Sequence, residues 1–427
     1  MSLKSNYLSA LLISFVFIIS ANAQHTDLVD SSQTQVLADT SKSGRYIMPE
    51  LSHKQMRWSR GGNGFMSIHL GFAPIVDYDL FFQDNASISQ VGKQNNQADL
   101  RSGRMMFSGQ LKFKHPWRYL FSIEYKGLDR SPEQDPIGIT DLAFTIPVGK
   151  TLGNMIIGKT KETFVYEMVG DAANLPYTER ILSPFFASRN TGIKFSNAVL
   201  KDRMTWAAGW FNDFLIKNST VDASVNTVTA RITGLPVWEN NGRHYLHLAL
   251  SARYLESNNG KMRLKGRPES NVTSNYLDTK DFEADHGWYL GSELLWNRDN
   301  HSVLMEYVKS FISSPINNNP EFTGFTVTGS WVLSPGDFRP YDRKAGFARR
   351  IKPGSKHGAF ELVGRFSYVT LDDQKIKGGT LNKAYMGLNW WASQYWRVSA
   401  GWGPSDLLLN GYHGTTNHLL FRLQWIY

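Results

Sequence analysis

Residues 417–427, at the end of the chain, constrain the fold more than any other segment. Two sets of residues alternate there, and the first set is the more aromatic: Leu419, Phe421, Leu423, Trp425 and Tyr427 against His418, Leu420, Arg422, Gln424 and Ile426. Successive side chains of a β-strand point to opposite faces, so a period of two predicts a strand. The chain is therefore expected to end on a strand with one strongly apolar face.

The same alternation recurs upstream. Met105 and Phe107 alternate with Arg104 and Ser108, and the pattern resumes after a short turn at 115–117. Sixteen such segments are predicted, at about 65–76, 103–114, 118–127, 137–147, 152–162, 189–197, 203–212, 227–236, 244–255, 286–296, 301–311, 322–333, 358–369, 382–391, 395–403 and 417–427.

This repeated pattern predicts an all-β fold, a transmembrane antiparallel β-barrel of about sixteen strands. The closing strand with its terminal aromatic residue is similar to the C-terminal signature of bacterial outer-membrane barrels. Alternate residues of such a barrel face lipid while the others face a polar lumen. A hydrophobic fraction of 41% is therefore compatible with a protein that spans a membrane. A barrel of this size has room for water, whereas the interior of an eight-stranded barrel fills with side chains.

The N-terminal residues predict export. Lys4, an apolar run at 8–19 and Ala21-Asn22-Ala23 have the layout of a secretory signal peptide, so residues 1–23 are expected to be removed. Residues 24–60 are polar and aperiodic, which predicts a flexible periplasmic leader, and the barrel is expected to span 61–427. The chain contains no cysteine, which excludes disulfides, thiolate metal sites and thiol nucleophiles.

Two connections carry further predictions. Short turns and long loops mostly alternate, as expected when one end of a barrel carries turns and the other loops. The third long loop, 163–188, contains helix-compatible segments and is predicted to fold inward and narrow the lumen; the alternative is a surface loop with one helical turn. Segment 334–357 is long where a short turn is expected, so either it is an unusual turn or the strand count is off by one hairpin.

Residues 101–213 and 324–427 resemble the phosphate-selective porin O and P family, whereas 214–285 match it poorly. The resemblance rests on the order of Arg104-Met105-Met106-Phe107-Ser108-Gly109, the strand containing Asp141, Gly158-Lys159-Thr160-Lys161, Thr178-Glu179-Arg180, Ser188-Arg189-Asn190-Thr191-Gly192-Ile193, Trp206-Ala207-Ala208-Gly209-Trp210-Phe211-Asn212, Arg339-Pro340-Tyr341-Asp342 and the closing strand. It implies a sixteen-stranded trimeric barrel whose third loop enters the lumen and whose basic side chains guide phosphate or polyphosphate.

Basic residues dominate the phase opposite the apolar one. The formal net charge is +9, and the basic residues are dispersed along the strands, which suits a lined channel. Rings of Arg and Lys select anions, and the planar Arg fork matches phosphate oxygens. The candidate anion-binding and pore-lining residues are Arg104, Lys112, Asp141, Lys159, Lys161, Arg180, Arg189, Lys194, Arg231, Arg253 and Arg365. The alternative is that several of these charges only pair across the wall and hold the barrel in shape.

Lys159, Lys161 and Asp141 are predicted to form the narrow zone. Both lysines are assigned to the inward phase of one strand, which leads directly into the third loop. The Asp141 carboxylate is expected to orient the ammonium groups and to weaken anion binding enough for release, because a channel that binds too tightly does not conduct.

The predicted function is passive diffusion of small anions, phosphate or polyphosphate, through a water-filled porin in the bacterial outer membrane. Expected partners are outer-membrane lipid and lipopolysaccharide, small anions, further copies in a homotrimer and the barrel-assembly machinery; neither a cofactor nor nucleic acid is expected. A lipase- or protease-like barrel enzyme and a structural or adhesin barrel remain alternatives. The histidines are scattered, and neither Gly-x-Ser-x-Gly nor His-Glu-x-x-His occurs, so the chain is not expected to be an enzyme.

Overall fold

The structure, a computed structural model, describes residues 56–58, 66–125, 137–214 and 225–427. The chain forms a closed antiparallel barrel of sixteen strands: β1 (Ile68–Gln83), β2 (Gln97–Leu111), β3 (Trp117–Tyr125), β4 (Ile137–Gly149), β5 (Gly153–Thr160), β6 (Asn190–Val199), β7 (Met204–Asn212), β8 (Asn226–Glu239), β9 (His244–Glu256), β10 (His286–Arg298), β11 (His301–Ser313), β12 (Glu321–Val332), β13 (Ala359–Asp373), β14 (Ile376–Trp391), β15 (Trp396–Leu409) and β16 (Tyr412–Trp425). The predicted strands are all present, in the predicted order.

The last strand closes the barrel, as its alternation predicts. Each strand pairs with its neighbours in sequence, and β16 pairs antiparallel with β1. Tyr427 extends this ladder, because its backbone exchanges hydrogen bonds of 3.0 and 2.8 Å with Phe72. A short strand, Met56–Trp58, pairs with the first residues of β1. The predicted signal peptide, and the predicted leader apart from this short strand, lie outside the described residues.

The barrel wall is apolar outside and polar inside. On β1, Val76, Tyr78 and Phe82 are 42%, 47% and 59% exposed, whereas Asp77 and Asp79 between them are only 2% and 1% exposed. A water-soluble domain has the opposite arrangement, because large apolar side chains are normally buried and carboxylates exposed. An apolar outer band around a polar interior is the arrangement of a transmembrane barrel.

Among the described residues, helices are few and short. They are α1 (Asn85–Val91), α2 (Tyr166–Val169) and 3₁₀ turns at Ala172–Asn174, Ser183–Phe185, Asn240–Gly242 and Pro315–Asn317. Asp84 caps α1, since its carboxylate accepts a hydrogen bond of 2.7 Å from the Ser87 amide. Within the described part of the chain, none of the helices is long and apolar enough to cross a membrane.

Short strand pairs organise two of the long connections. The connection between β9 and β10 contains Lys261–Met262 paired with Phe282–Glu283, and Lys265–Gly266 paired with Leu277–Asp278. The connection between β12 and β13 contains Tyr341–Asp342 paired with Phe347–Ala348.

Three connecting segments pack against inward-facing side chains of the wall. They are the third loop (161–189, between β5 and β6), the 257–285 loop and the 333–358 segment. Third-loop residues Phe164, Met168 and Phe185 share one buried apolar cluster with Leu277 of the 257–285 loop and with Val308 of β11. This cluster ties the two loops to one another and to the strands on one side of the barrel.

The 333–358 segment joins a second apolar cluster. Tyr341 and Phe347 of this segment pack with Tyr166 and Tyr177 of the third loop and with Tyr245 of β9. The Ala348 amide also donates a hydrogen bond of 2.8 Å to the Tyr166 hydroxyl. The strand count is therefore correct, and the long connection is an unusual turn whose residues pack against the inner wall.

Candidate functional site

A cavity of about 280 Å³ separates one side of the barrel wall from the third loop. Inward-facing residues of β1 to β8 line one side of it, and residues of the third loop and of the 333–358 segment line the other. Its charged lining consists of eight cationic side chains, Arg101, Arg104, Lys161, Arg180, Arg189, Lys194, Arg231 and Arg350, and four acidic ones, Glu124, Asp141, Glu162 and Asp171. Cations therefore outnumber carboxylates around the cavity.

Two ion pairs lie along one wall of the cavity. Arg104 Nη2 lies 3.0 Å from Glu124 Oε1, and Arg189 Nε lies 3.0 Å from Asp141 Oδ1. The Ser122 hydroxyl, between them on β3, donates a hydrogen bond of 2.7 Å to Asp141 Oδ2. These carboxylates fix the positions of the guanidinium groups and neutralise part of their charge.

Lys161, the first residue of the third loop, and Lys194 on β6 lie close together at the cavity. Lys161 Nζ donates to Asp171 Oδ1 at 2.7 Å and to the carbonyls of Val169 and Gly170 at 3.2 and 3.1 Å. Lys194 Nζ donates to the Lys161 carbonyl at 2.9 Å and, among the described residues, forms no salt bridge. The cavity therefore contains a lysine whose polar partner is an uncharged carbonyl.

Burial and neighbouring charges have opposite effects on the pKa values of Lys161 and Asp171. Burial lowers the pKa of the Lys161 ammonium to about 8, although the Asp171 carboxylate acts against it. Burial alone would raise the pKa of Asp171, but the charges of Lys161 and Arg349 hold that pKa below its usual range. Near neutral pH, Asp171 is thus ionised and Lys161 is mostly protonated.

Glu179 anchors the far end of the third loop between two arginines. Arg101 Nε donates to Glu179 Oε1 at 2.5 Å, and Arg422 Nη2 donates to the same oxygen at 2.6 Å. Burial would raise the pKa of Glu179, but these cations lower it to about 2. Neighbouring Arg180 donates to the Gly170 carbonyl at 2.8 Å and forms no salt bridge within the described part of the chain. Like Lys194, it adds positive charge that no carboxylate cancels directly.

Seven of the predicted site residues come together around the cavity. They are Arg104, Asp141, Lys161, Arg180, Arg189, Lys194 and Arg231. Lys112 does not line it, because β2 ends at Leu111 and Lys112 lies exposed in the following turn.

The predicted orientation of Lys159 is wrong. Ile157, two residues earlier on β5, is 37% exposed on the outer face, whereas Ile156 is buried and lines the cavity. Lys159 shares the phase of Ile157, and its cross-strand partner on β4 is the exposed Leu142. The error arose because two isoleucines stand in sequence, so hydropathy alone does not distinguish the two faces of this strand.

Arg253 and Arg365 point inward as predicted but do not line the cavity. Arg253 Nε pairs with Glu162 Oε2 at 2.7 Å, and Arg365 forms ion pairs with Glu167 of the third loop and Glu269 of the 257–285 loop. Both arginines are almost completely buried. At these two positions the structural alternative, pairing that holds wall and loops together, describes the observed contacts.

Sequence reasoning missed some of the lining. The sequence does not single out Arg101, because residues 97–102 show no apolar alternation and the predicted strand begins only at about residue 103. Arg350 belongs to the 333–358 segment, whose position in the barrel could not be predicted; the adjacent Arg349-Arg350 pair was the available signal. No group of three or more His, Asp or Glu residues in the described ranges is placed to hold a metal ion.

Comparison with known proteins gives one family. The sequence profile of the phosphate-selective porin O and P family matches residues 77–418. No curated protein sequence matches the chain.

Solved outer-membrane structures have the same fold at low sequence identity. An anion-selective porin from Comamonas acidovorans is 10% identical, with a TM-score of 0.54 over 85% of this chain and 100% of that one. The outer-membrane channel DcaP of Acinetobacter baumannii is 10% identical, with a TM-score of 0.54 over 86% and 99% of the two chains. OmpT of Vibrio cholerae, in a trimer form, is 10% identical, with a TM-score of 0.54 over 85% and 100%.

Proposed function

The chain belongs to the phosphate-selective porin O and P family, and from this premise we propose that it forms a water-filled channel in which small anions, phosphate among them, diffuse passively across the outer membrane. Porin channels and outer-membrane barrels are what the family and the structural neighbours have in common. The preference for anions rests on this chain's own residues.

The observation that carries the proposal is the uncompensated positive charge of the cavity lining. Lys194 and Arg180 donate to backbone carbonyls, and neither forms a salt bridge among the described residues. Charge in a narrow, poorly screened lumen acts on passing ions much more strongly than the same charge on an open surface. An anion that enters the cavity therefore meets attraction that a cation does not.

The ion pairs along the wall favour release of the anion. Arg104 and Arg189 each retain guanidinium N–H groups for a passing oxyanion. The paired carboxylates of Glu124 and Asp141 weaken the binding of an anion at each site. Conduction requires sites that bind favourably enough to admit the ion and weakly enough to let it leave. Alternating cations and carboxylates supply successive shallow sites of this kind.

We further propose a homotrimer, exported with a cleaved signal peptide, inserted by the barrel-assembly machinery and surrounded by lipid and lipopolysaccharide. The trimer is supported by the trimer form of OmpT among the structural neighbours. We propose a channel and not an enzyme. His247, the histidine that contacts both Glu293 and Tyr341, is fully buried and does not line the cavity, so it is poorly placed to act on a solute there.

Lys194→Glu tests the proposal, with Lys159→Glu as the matched control. In planar bilayers under a salt gradient, the wild-type reversal potential should indicate anion preference. Lys194→Glu changes the charge of the cavity lining by two units and should shift the reversal potential toward cations. Added phosphate should reduce the wild-type chloride current and affect the variant less. Lys159→Glu makes the same chemical change on the outer face and should leave both properties close to wild type.

Three results would contradict the proposal. One is a wild-type channel without anion preference, and another is a Lys194→Glu channel with the wild-type reversal potential. The third is an equal shift in Lys159→Glu, which would mean that charge outside the cavity lining determines selectivity.

A further inference from the structure

An apolar band lies beside the charged part of the cavity. Its inward-facing members are Ala73, Met106, Leu120, Ala143, Ile156 and Ile426. Ala73, Met106 and Ile426 pack together, with Leu120 of β3 and Ala173 of the third loop against them. The lumen phase of a transmembrane barrel is normally polar. An apolar surface on this phase therefore offers contact to a solute that itself has apolar surface.

The band and the cations are direct neighbours on the same wall. Arg104 and Met106 are two residues apart on β2, so they point to the same side, about 7 Å apart along the strand. Because β2 begins at the long-loop end of the barrel, Met106 lies closer than Arg104 to the short-turn end. Ile156 on β5 is the direct cross-strand partner of Lys194 on β6. A single small molecule can therefore contact a cation and the band at once.

We propose that this channel preferentially takes organic anions with an apolar body, namely aliphatic or aromatic carboxylates. The inference rests on the proposed anion channel and specifies its substrate class. The carboxylate head lies among Arg104, Arg180 and Lys194, and the hydrocarbon body lies on Met106 and Leu120 toward the short-turn end.

The two parts of the cavity contribute differently to different anions. Inorganic phosphate has no apolar surface, so the band adds nothing to its binding. For an alkyl carboxylate, each methylene that leaves water completely strengthens binding roughly fourfold. In the proposed channel a solute passes through the cavity and is not enclosed by it, so burial is partial and the gain per methylene is smaller. Binding thus stays weak enough for the anion to move on.

A chain-length series tests the proposal on the wild-type protein. The half-blocking concentrations of acetate, butanoate, hexanoate and inorganic phosphate are measured on the chloride current in planar bilayers at neutral pH. These carboxylates carry the same charge, so differences among them report contact of the alkyl chain. Hexanoate should block at a concentration at least about tenfold lower than acetate, since partial burial of its additional methylenes adds to the same head-group contact.

Variants of the band and of the cations separate the two contributions. Met106→Ser with Leu120→Ser should reduce the hexanoate-to-acetate ratio to about twofold and leave phosphate block unchanged. Lys194→Gln should weaken block by both carboxylates equally and preserve their ratio. Both inward positions lie away from lipid; if the double variant folds poorly, Leu120→Ser alone should give an intermediate ratio.

The outcomes distinguish failure of this inference from failure of the proposed function. An anion-selective wild type that is blocked equally by acetate and hexanoate overturns the inference and leaves the anion channel intact. Band variants that keep the wild-type ratio also overturn it. A wild type without anion selectivity contradicts the proposed function itself.

Discussion

The two sides of the barrel interior differ in what faces their inward-pointing cations. In the sector formed by β2 to β7, which we call the channel sector, the inward cations Arg104 and Lys194 line the cavity. In the sector formed by β9 to β15, which we call the filled sector, the inward-facing side chains pack against the third loop, the 257–285 loop and the 333–358 segment. The strands of the two sectors have the same inside-out pattern, so the difference comes from the connections between strands.

Arg365 illustrates the filled sector. Its guanidinium forms ion pairs with Glu167 and Glu269, which come from two different loops, and it lies 3.6 Å from the ring centre of Tyr177. The side chain is completely buried. Its charge is used to hold the loops against the wall, and a solute has no access to it.

Lys194 illustrates the channel sector. It occupies an equivalent inward position on β6, but its ammonium group donates to the Lys161 carbonyl and lines the cavity. The phase of a strand determines that a cation points inward. Whether its charge is available to a solute depends on the loop residue that it meets.

The largest effect on stability is expected when the ion pairs of Arg365 in the filled sector are removed. Arg365→Met leaves two buried carboxylates without their cation, and removing one partner of a buried ion pair costs about 3–5 kcal/mol. The free energy of unfolding, measured by urea titration in lipid vesicles, should fall by that amount. Arg180→Met in the cavity is the matched control, because Arg180 donates to a carbonyl and forms no salt bridge in the described residues; it should cost about 1 kcal/mol or less.

These two substitutions should also differ in their effect on conduction. Arg180→Met removes cavity charge and should reduce anion preference in a stable barrel. If both variants lost the same stability, or if Arg365→Met were neutral, the distinction between the sectors would be wrong.

A smaller effect is expected from pH. Burial lowers the pKa of Lys161 to about 8, so its ammonium is charged below that pH and neutral above it. Raising the pH from roughly 7 to roughly 9 should therefore weaken the anion preference of the wild-type channel, as a shift of the reversal potential toward zero. Lys161→Gln should start from the weaker preference and show less of this shift. A shift of full size in the variant would assign the titration to another group.

Most of the fold could be predicted because its signal is local. Alternation over about ten residues per strand suffices to locate the strands. It also suffices to predict that the strand ending at Tyr427 closes the barrel. The connections could not be predicted in this way. The contact between Arg365 and Glu167 joins residues 198 positions apart, and no periodic pattern encodes it. For the same reason, the sequence does not distinguish Arg253 and Arg365 from Arg104.

The basic character of the cavity lining could be predicted from the sequence, but the orientation of each individual residue could not. The basic residues of the predicted inward phase include Arg104, Lys161 and Lys194, which line the cavity; their role in anion binding stays a prediction. The Ile156–Ile157 pair concealed the phase of β5, and Lys159 was placed on the wrong face. The apolar band was missed because assigning every apolar residue to lipid excludes an apolar lumen surface from the outset.

Single-cysteine accessibility tests the difference between the sectors most directly, and the cysteine-free chain gives a clean background. Ala207 lines the cavity from β7, whereas Ala249 points inward from β9 and is 5% exposed. With a membrane-impermeant anionic thiol reagent, Ala207→Cys should react and its anion current should fall. Ala249→Cys should stay unmodified in the folded barrel. Equal reaction rates at the two positions, or faster reaction at Ala249→Cys, would contradict the account.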